Sequence, residues 1–202
     1  MGMTCTLYRV VASQTKHLRA NPAAVEELMF PPGSTPPVVE VREKGLTGWL
    51  LHLVGVRITQ VDPNWIPPEG AELDGDRELD LEGVWHGLHY ILTGTAWEGK
   101  PPASFLILGG EEIGDEDDDN PPRLLEPNQV RELSVFLAAL SDEEFLRRFD
   151  AERMTALDIH PAIWKRDKDP NPIELLQGGF DELRQFVATA AEHGEAIVVH
   201  LG

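Results

Sequence analysis

The sequence predicts an α+β fold: a single domain over residues 1–202 in which a small mixed sheet, including the N- and C-terminal strands, packs with several helices. Three observations predict it. Residues 4–11 and 196–201 are rich in β-branched and aromatic side chains, so both ends read as strands. Between them, apolar residues recur mostly at helical spacing. A chain of 202 residues with 42% hydrophobic content is long and apolar enough for one ordinary core.

Taken in order, the first strand gives way to Asn21-Pro22, an N-cap with proline at the first helical position. Val25, Leu28 and Met29 supply that helix with an apolar face, and Pro31 ends it. The proline-rich residues 31–37 read as a loop, 38–41 as a short strand, and 45–58 as a helix whose β-branched far end blurs into residues 56–61. Residues 62–80, carrying prolines and carboxylates, read as a long exposed excursion. The helix over 81–94 is the organising element. Leu81, Val84, Leu88, Ile91 and Leu92 form a stripe at i, i+3, i+4, i+7 spacing, Asp80 is placed to cap it, and Gly94 to close it. After a loop at 95–102, the apolar run 104–108 reads as a buried strand ending at Gly109-Gly110. A second excursion, 111–120, carries seven carboxylates among ten residues, more than a packed segment tolerates. Pro127 opens a helix with Val130, Leu133, Leu137 and Leu140 inward, and Ser141 to Glu144 is a capping-box pattern before Phe145, Leu146 and Phe149. Residues 158–164 are irregular, 165–172 are charged and proline-containing, and 180–192 form the last helix, stopped by Gly194.

Charge narrows the function. Seventeen basic against 35 acidic residues leave a formal −18. Such a field repels phosphate backbones and anionic lipid, so neither nucleic acid nor a membrane is an expected partner. A basic protein partner or a small ligand is favoured instead. No window approaches the apolar length of a membrane span, and the start lacks an apolar core of signal-peptide length, so the expected setting is cytoplasmic. The single cysteine, Cys5, excludes an internal disulfide and any cysteine-rich zinc site. In its strand-like stretch it reads as a small buried hydrophobe.

Chemistry-bearing groups gather around the central helix. His86 and His89 lie at i, i+3, and His89 and Thr93 at i, i+4, beside Trp85 and Tyr90. With Asp158, His160 and Trp164 they define a candidate pocket: Trp85 and Trp164 as walls, the histidines and Thr93 as polar anchors. The bland alternative is a helix whose histidines are satisfied by neighbouring carbonyls and carboxylates. Gly83 and Gly87 cost about 1 kcal/mol each against alanine inside a helix, which points to close packing by another backbone or a ligand. His-x-x-His could supply two metal nitrogens, but no third ligand is fixed by spacing and the zinc-protease pattern is absent, so no metal is expected. Asp115, Asp117, Asp119 and Glu126 match part of a calcium loop, yet Asn120 stands where glycine is needed and Pro122 where an apolar strand residue belongs. Nucleophile-elbow, phosphate-loop and dinucleotide signatures are missing, and no cofactor is expected.

The segments Trp85-His86-Gly87-Leu88-His89-Tyr90 with Leu92-Thr93-Gly94 make the chain similar to the YfbM-like family of small bacterial proteins. So do Gly109-Gly110 with Ile113-Gly114, then Arg123, Leu125, Pro127 and Val130, and Ile159-His160-Pro161 with Trp164. The resemblance runs in order through most of the chain, from Met1 to Leu201, and is completed by Ala190-Ala191 before the last strand. Two positions depart from it: Glu82-Gly83-Val84 replaces a segment that usually carries a lysine, and His160 stands where tyrosine is common. The resemblance implies one α+β domain in a bacterial cytoplasm and no particular activity.

The sequence therefore supports a non-enzymatic acidic binding module for a protein partner or small ligand. The alternatives are a hydrolase-like enzyme with His86 or His89 as general base oriented by Asp158, and a purely structural helix with no ligand site.

Overall fold

A computed structural model describes residues 4–30, 38–40, 59–61, 76–115, 120–166 and 171–202. Contacts divide the chain into two units, one of residues 1–26 with 74–202 and one of residues 27–73. In the smaller unit, β2 (Val38–Glu40) pairs antiparallel with β3 (Thr59–Val61). The helix expected over 45–58 lies outside the described residues.

The larger unit is α+β. Its five-stranded sheet has the order β4-β1-β7-β6-β5. β1 (Cys5–Val10) and β7 (Ala196–Leu201) pair along their whole lengths, from Cys5 opposite Leu201 to Val10 opposite Ala196. The two chain ends therefore meet inside the sheet, as their composition predicts. β4 (Glu78–Asp80) flanks β1, while β6 (Arg123–Leu125) flanks β7 and carries β5 (Glu111–Glu112) outside it. Every pairing is antiparallel, so the sheet is not mixed. β7 is central, and its residues Ala196 to Val199 are all buried, which explains a continuous apolar run rather than alternation. A buried ion pair, Arg9 Nε to Glu195 at 2.7 Å, ties β1 to the residue before β7.

The helices are α1 (Thr15–Ala20), α2 (Pro22–Met29), α3 (Trp85–Thr93), α4 (Phe105–Leu108), α5 (Pro127–Ala139), α6 (Asp142–Arg148), α7 (Ala151–Ala156) and α8 (Pro172–His193). The run at 104–108 is thus a short helix and not a strand. An apolar run of that length does not distinguish the two states, and here the Ser104 carbonyl accepts from Ile107 and Leu108 N–H, closing a turn locally. The excursions hide strands: β4 ends the first, and β5 opens the second. Their charged side chains mask backbone that completes the sheet edges.

α8 begins eight residues before the expected Phe180. Asn171 Oδ1 accepts from Ile173 N–H at 3.0 Å and Pro172 takes the first helical position. Leu176, Phe180, Leu183, Val187 and Ala190 give it one buried face. Ser141 caps α6 as predicted, accepting from Glu144 N–H at 3.2 Å. Phe145 is buried beneath it, stacked on Phe180 at 4.7 Å, whereas Leu146 is exposed.

Candidate functional site

The organising helix differs from its sequence picture in two respects. Residues 82–84 form a 3-10 turn, and the α-helix starts at Trp85. Asp80 caps the turn, its Oδ1 accepting from Glu82 N–H at 2.7 Å, and leaves the first turn of α3 without a side-chain cap. Every residue from Trp85 to Leu92 is buried, so α3 is enclosed on all sides instead of presenting a polar flank. Gly94 closes it as expected. At φ 78° it adopts the left-handed conformation and donates its N–H to the Tyr90 carbonyl at 2.7 Å.

The imidazoles are sealed, at 1% exposure for His86 and 0% for His89. His86 Nε2 bonds the Ala96 carbonyl at 2.8 Å, and its Nδ1 accepts from the His160 backbone N–H at 3.1 Å. His89 Nε2 bonds the Glu98 carbonyl at 3.1 Å, while its Nδ1 is buried without a partner. Burial pushes both pKa values down, that of His89 to about 4, although each carbonyl bond opposes the shift. Both rings are therefore neutral at physiological pH. Thr93 Oγ1 donates to the His89 carbonyl at 2.8 Å and accepts from Thr95 N–H at 3.2 Å, stitching the helix end to the loop.

Trp97, half-exposed in that loop, lies 4.3 Å from the His86 ring and 6.1 Å from buried Trp85. The structure thus gathers Trp85, His86, His89 and Thr93 with the His160 backbone, and adds Trp97, which sequence reasoning left in a loop. The remaining expected residues go elsewhere. The Tyr90 hydroxyl lies near Asp150 and Arg153, and burial raises its pKa. Trp164 packs on Gly87 and donates Nε1–H to the Ile159 carbonyl at 2.6 Å. Asp158 is exposed at the end of α7, with φ 52°, and makes none of the bonds that orient the two imidazoles. His160 contributes its backbone, and its side chain is exposed.

The two central glycines now separate. A Cβ on Gly87 would come within 2.6 Å of Trp164 Cη2 and 2.7 Å of Leu176 Cδ2, so this glycine permits the indole to close on the helix. A Cβ on Gly83 would meet Pro161 Cγ at an ordinary 3.6 Å.

At the N-terminal end of the same helix a cleft of about 430 Å³ opens. Its walls are the segment holding Asp80, Leu81, Glu82 and Val84, and the α8 segment holding Glu174, Leu175, Gly178, Gly179 and Glu182. Glu174, Gly178 and Glu182 fall at i, i+4, i+8, so two carboxylates frame a gap on one helix face. A Cβ at Gly178 would meet nothing within 4 Å, while at Gly179 it would lie 2.9 Å from Val84 Cγ2. The first glycine leaves room and the second brings the walls together. Sequence reasoning missed this cleft because it began the last helix at Phe180, which hid the Glu-Gly-Glu spacing.

Of the calcium-like pattern, Asp117 and Asp119 lie outside the described residues, and Glu126 pairs with Arg19 at the head of α5. Among the described residues, no group of three or more His, Cys, Asp or Glu side chains is arranged to hold a metal. No described helix is long and apolar enough to cross a membrane. Cys5 is fully buried, and burial raises its thiol pKa strongly.

Comparison with known proteins places the chain. Residues 1–200 match the family described as Domain of unknown function (DUF1877), and the chain belongs to that family. A solved structure described as a protein of unknown function, YfbM from Escherichia coli, is similar with a TM-score of 0.57 at 13% identity. The match covers 98% of this chain and 99% of that one. At that identity the likeness is one of fold. No curated protein sequence matches.

Proposed function

Taking membership of the DUF1877 family as the premise, we propose that this protein is a non-catalytic binding module that accepts a cationic group in the cleft between residues 80–84 and α8. One observation carries the reading: an open cleft with an apolar floor and a rim of four carboxylates, Asp80, Glu82, Glu174 and Glu182. Glu82, Glu174 and Glu182 are exposed and have no ion pair among the described residues. An amine or guanidinium entering there meets negative charge on both walls and apolar surface from Leu81, Val84 and Leu175 beneath. The formal −18 of the chain supports the reading, since it draws a cation in from a distance. The sealed imidazoles support it too, because a general base must reach its proton donor.

Calorimetric titration with two probes separates the sources of such a group: spermidine as a free polyamine, and a short lysine- and arginine-rich peptide as a piece of a basic protein. Binding that weakens at least about tenfold in the Glu174→Gln/Glu182→Gln double variant is expected, together with a steep decline as salt rises. Gly178→Leu should block the cleft without harming the fold, because its side chain enters empty space on a helical position. If spermidine and peptide both bind Gly178→Leu as tightly as the natural chain, the proposal is wrong.

A further inference from the structure

We infer that His86 and His89 form an acid-releasable clasp that holds residues 94–100, and with them Trp97, against α3. The argument rests on donors and acceptors. A carbonyl oxygen can only accept, so the bonds to Ala96 and Glu98 place the proton of each neutral ring on Nε2. The lone pair is then on Nδ1 in both. In His86 that lone pair is in use, accepting the His160 backbone N–H at 3.1 Å. A proton added there would set one N–H against another and break the tie to the turn at 157–164. In His89 the Nδ1 atom is fully buried and unpartnered, so a proton added there would be a charged donor with nothing to bond.

The surroundings offer the charge no relief. From the turn, the His160 side chain faces His86, and from α3 itself His86 faces His89; each such neighbour becomes cationic as the pH falls. From the loop, Trp97 covers His86, and Glu98 presents its carbonyl to His89, an oxygen that also accepts from the Thr95 hydroxyl at 2.5 Å. The Glu98 side chain and Lys100 are exposed. Before α4, the buried Ser104 hydroxyl is neutral and likewise unpartnered. A protonated ring can reach water by lifting the segment that covers it, which is the 94–100 loop. Release would present Trp97 and the rings beneath it to solvent.

Hydrogen exchange on the full chain, corrected for intrinsic rates, tests this at neutral pH and at about pH 4.5, between the ordinary and depressed histidine ranges. Protection of residues 94–100 should fall at least about tenfold on acidification, while β1 and β7 remain protected. The His86→Gln/His89→Gln double variant keeps a donor near each Nε2 position and cannot titrate, so its loop should stay protected at both pH values. Unchanged protection in the natural chain, or equal opening in the variant, overturns the inference. Should the double variant fail to fold, nitrogen NMR of the natural chain's imidazoles decides. Rings that remain Nε2-protonated and neutral well below the ordinary histidine range, until the loop opens, support the clasp; rings that charge near their ordinary value beneath a closed loop refute it.

Discussion

The two ends of α3 treat their polar groups in opposite ways. Along its body and at its C-terminal end, imidazoles are withdrawn from water and bonded to carbonyls. At its N-terminal end, carboxylates of the 80–84 segment and of α8 face an open cleft. The residues with the more versatile chemistry are the structural ones, and the plainer carboxylates are those placed to meet a ligand. Burial and partners, rather than residue type, decide which polar groups are available for function.

The largest way to break this contrast is to remove a sealed ring. His89→Ala should destabilise the fold by about 3–4 kcal/mol, from the cavity and the lost bond to the Glu98 carbonyl. Urea unfolding measures it, and a loss below about 1 kcal/mol would mean the ring supports nothing. Next in size is pH. The His89 pKa falls from 6.5 to about 4 on folding, so the unfolded chain binds more protons between those values. The contribution of the neutral ring is complete above the upper value and is lost as pH falls through the window, on the order of 3 kcal/mol in all. The difference between natural chain and His89→Gln isolates that slope from the carboxylates that titrate alongside; parallel curves would contradict it. Gly87→Ala should then cost about 2 kcal/mol despite alanine's better helix propensity, because the new methyl overlaps Trp164 and Leu176. At the open end the same substitution reverses sign. Gly178→Ala should stabilise by about 1 kcal/mol, since its methyl meets nothing. Thermal melts of the two glycine variants sharpen the comparison, and a shared sign would erase it.

The sheet's central pair was legible because both terminal strands carry their own β-branched signature. α5 was legible from Pro127 and its apolar spacing, and α6 from its cap. The sheet edges were not, since β4 and β5 are short strands inside acidic runs, where charge speaks for solvent and backbone pairing leaves no side-chain trace. At the site, periodicity found α3 and placed Trp85 and both histidines in one neighbourhood. It could not show that α8 and the 157–164 turn cover the remaining faces, because enclosure depends on contacts distant in sequence. The half-exposed Trp97 had no periodic signal at all, and the cleft depended on where α8 begins, a boundary set by Asn171 and obscured by the glycine pair that makes the cleft possible.

Mapping backbone amide shifts while spermidine is titrated into the natural chain tests the central claim most directly. The account predicts perturbations concentrated at residues 80–84 and 174–182, with residues 86–98 following weakly or not at all. Perturbations centred on His86, His89, Trp97 and the 157–164 turn, with the cleft silent, would contradict it.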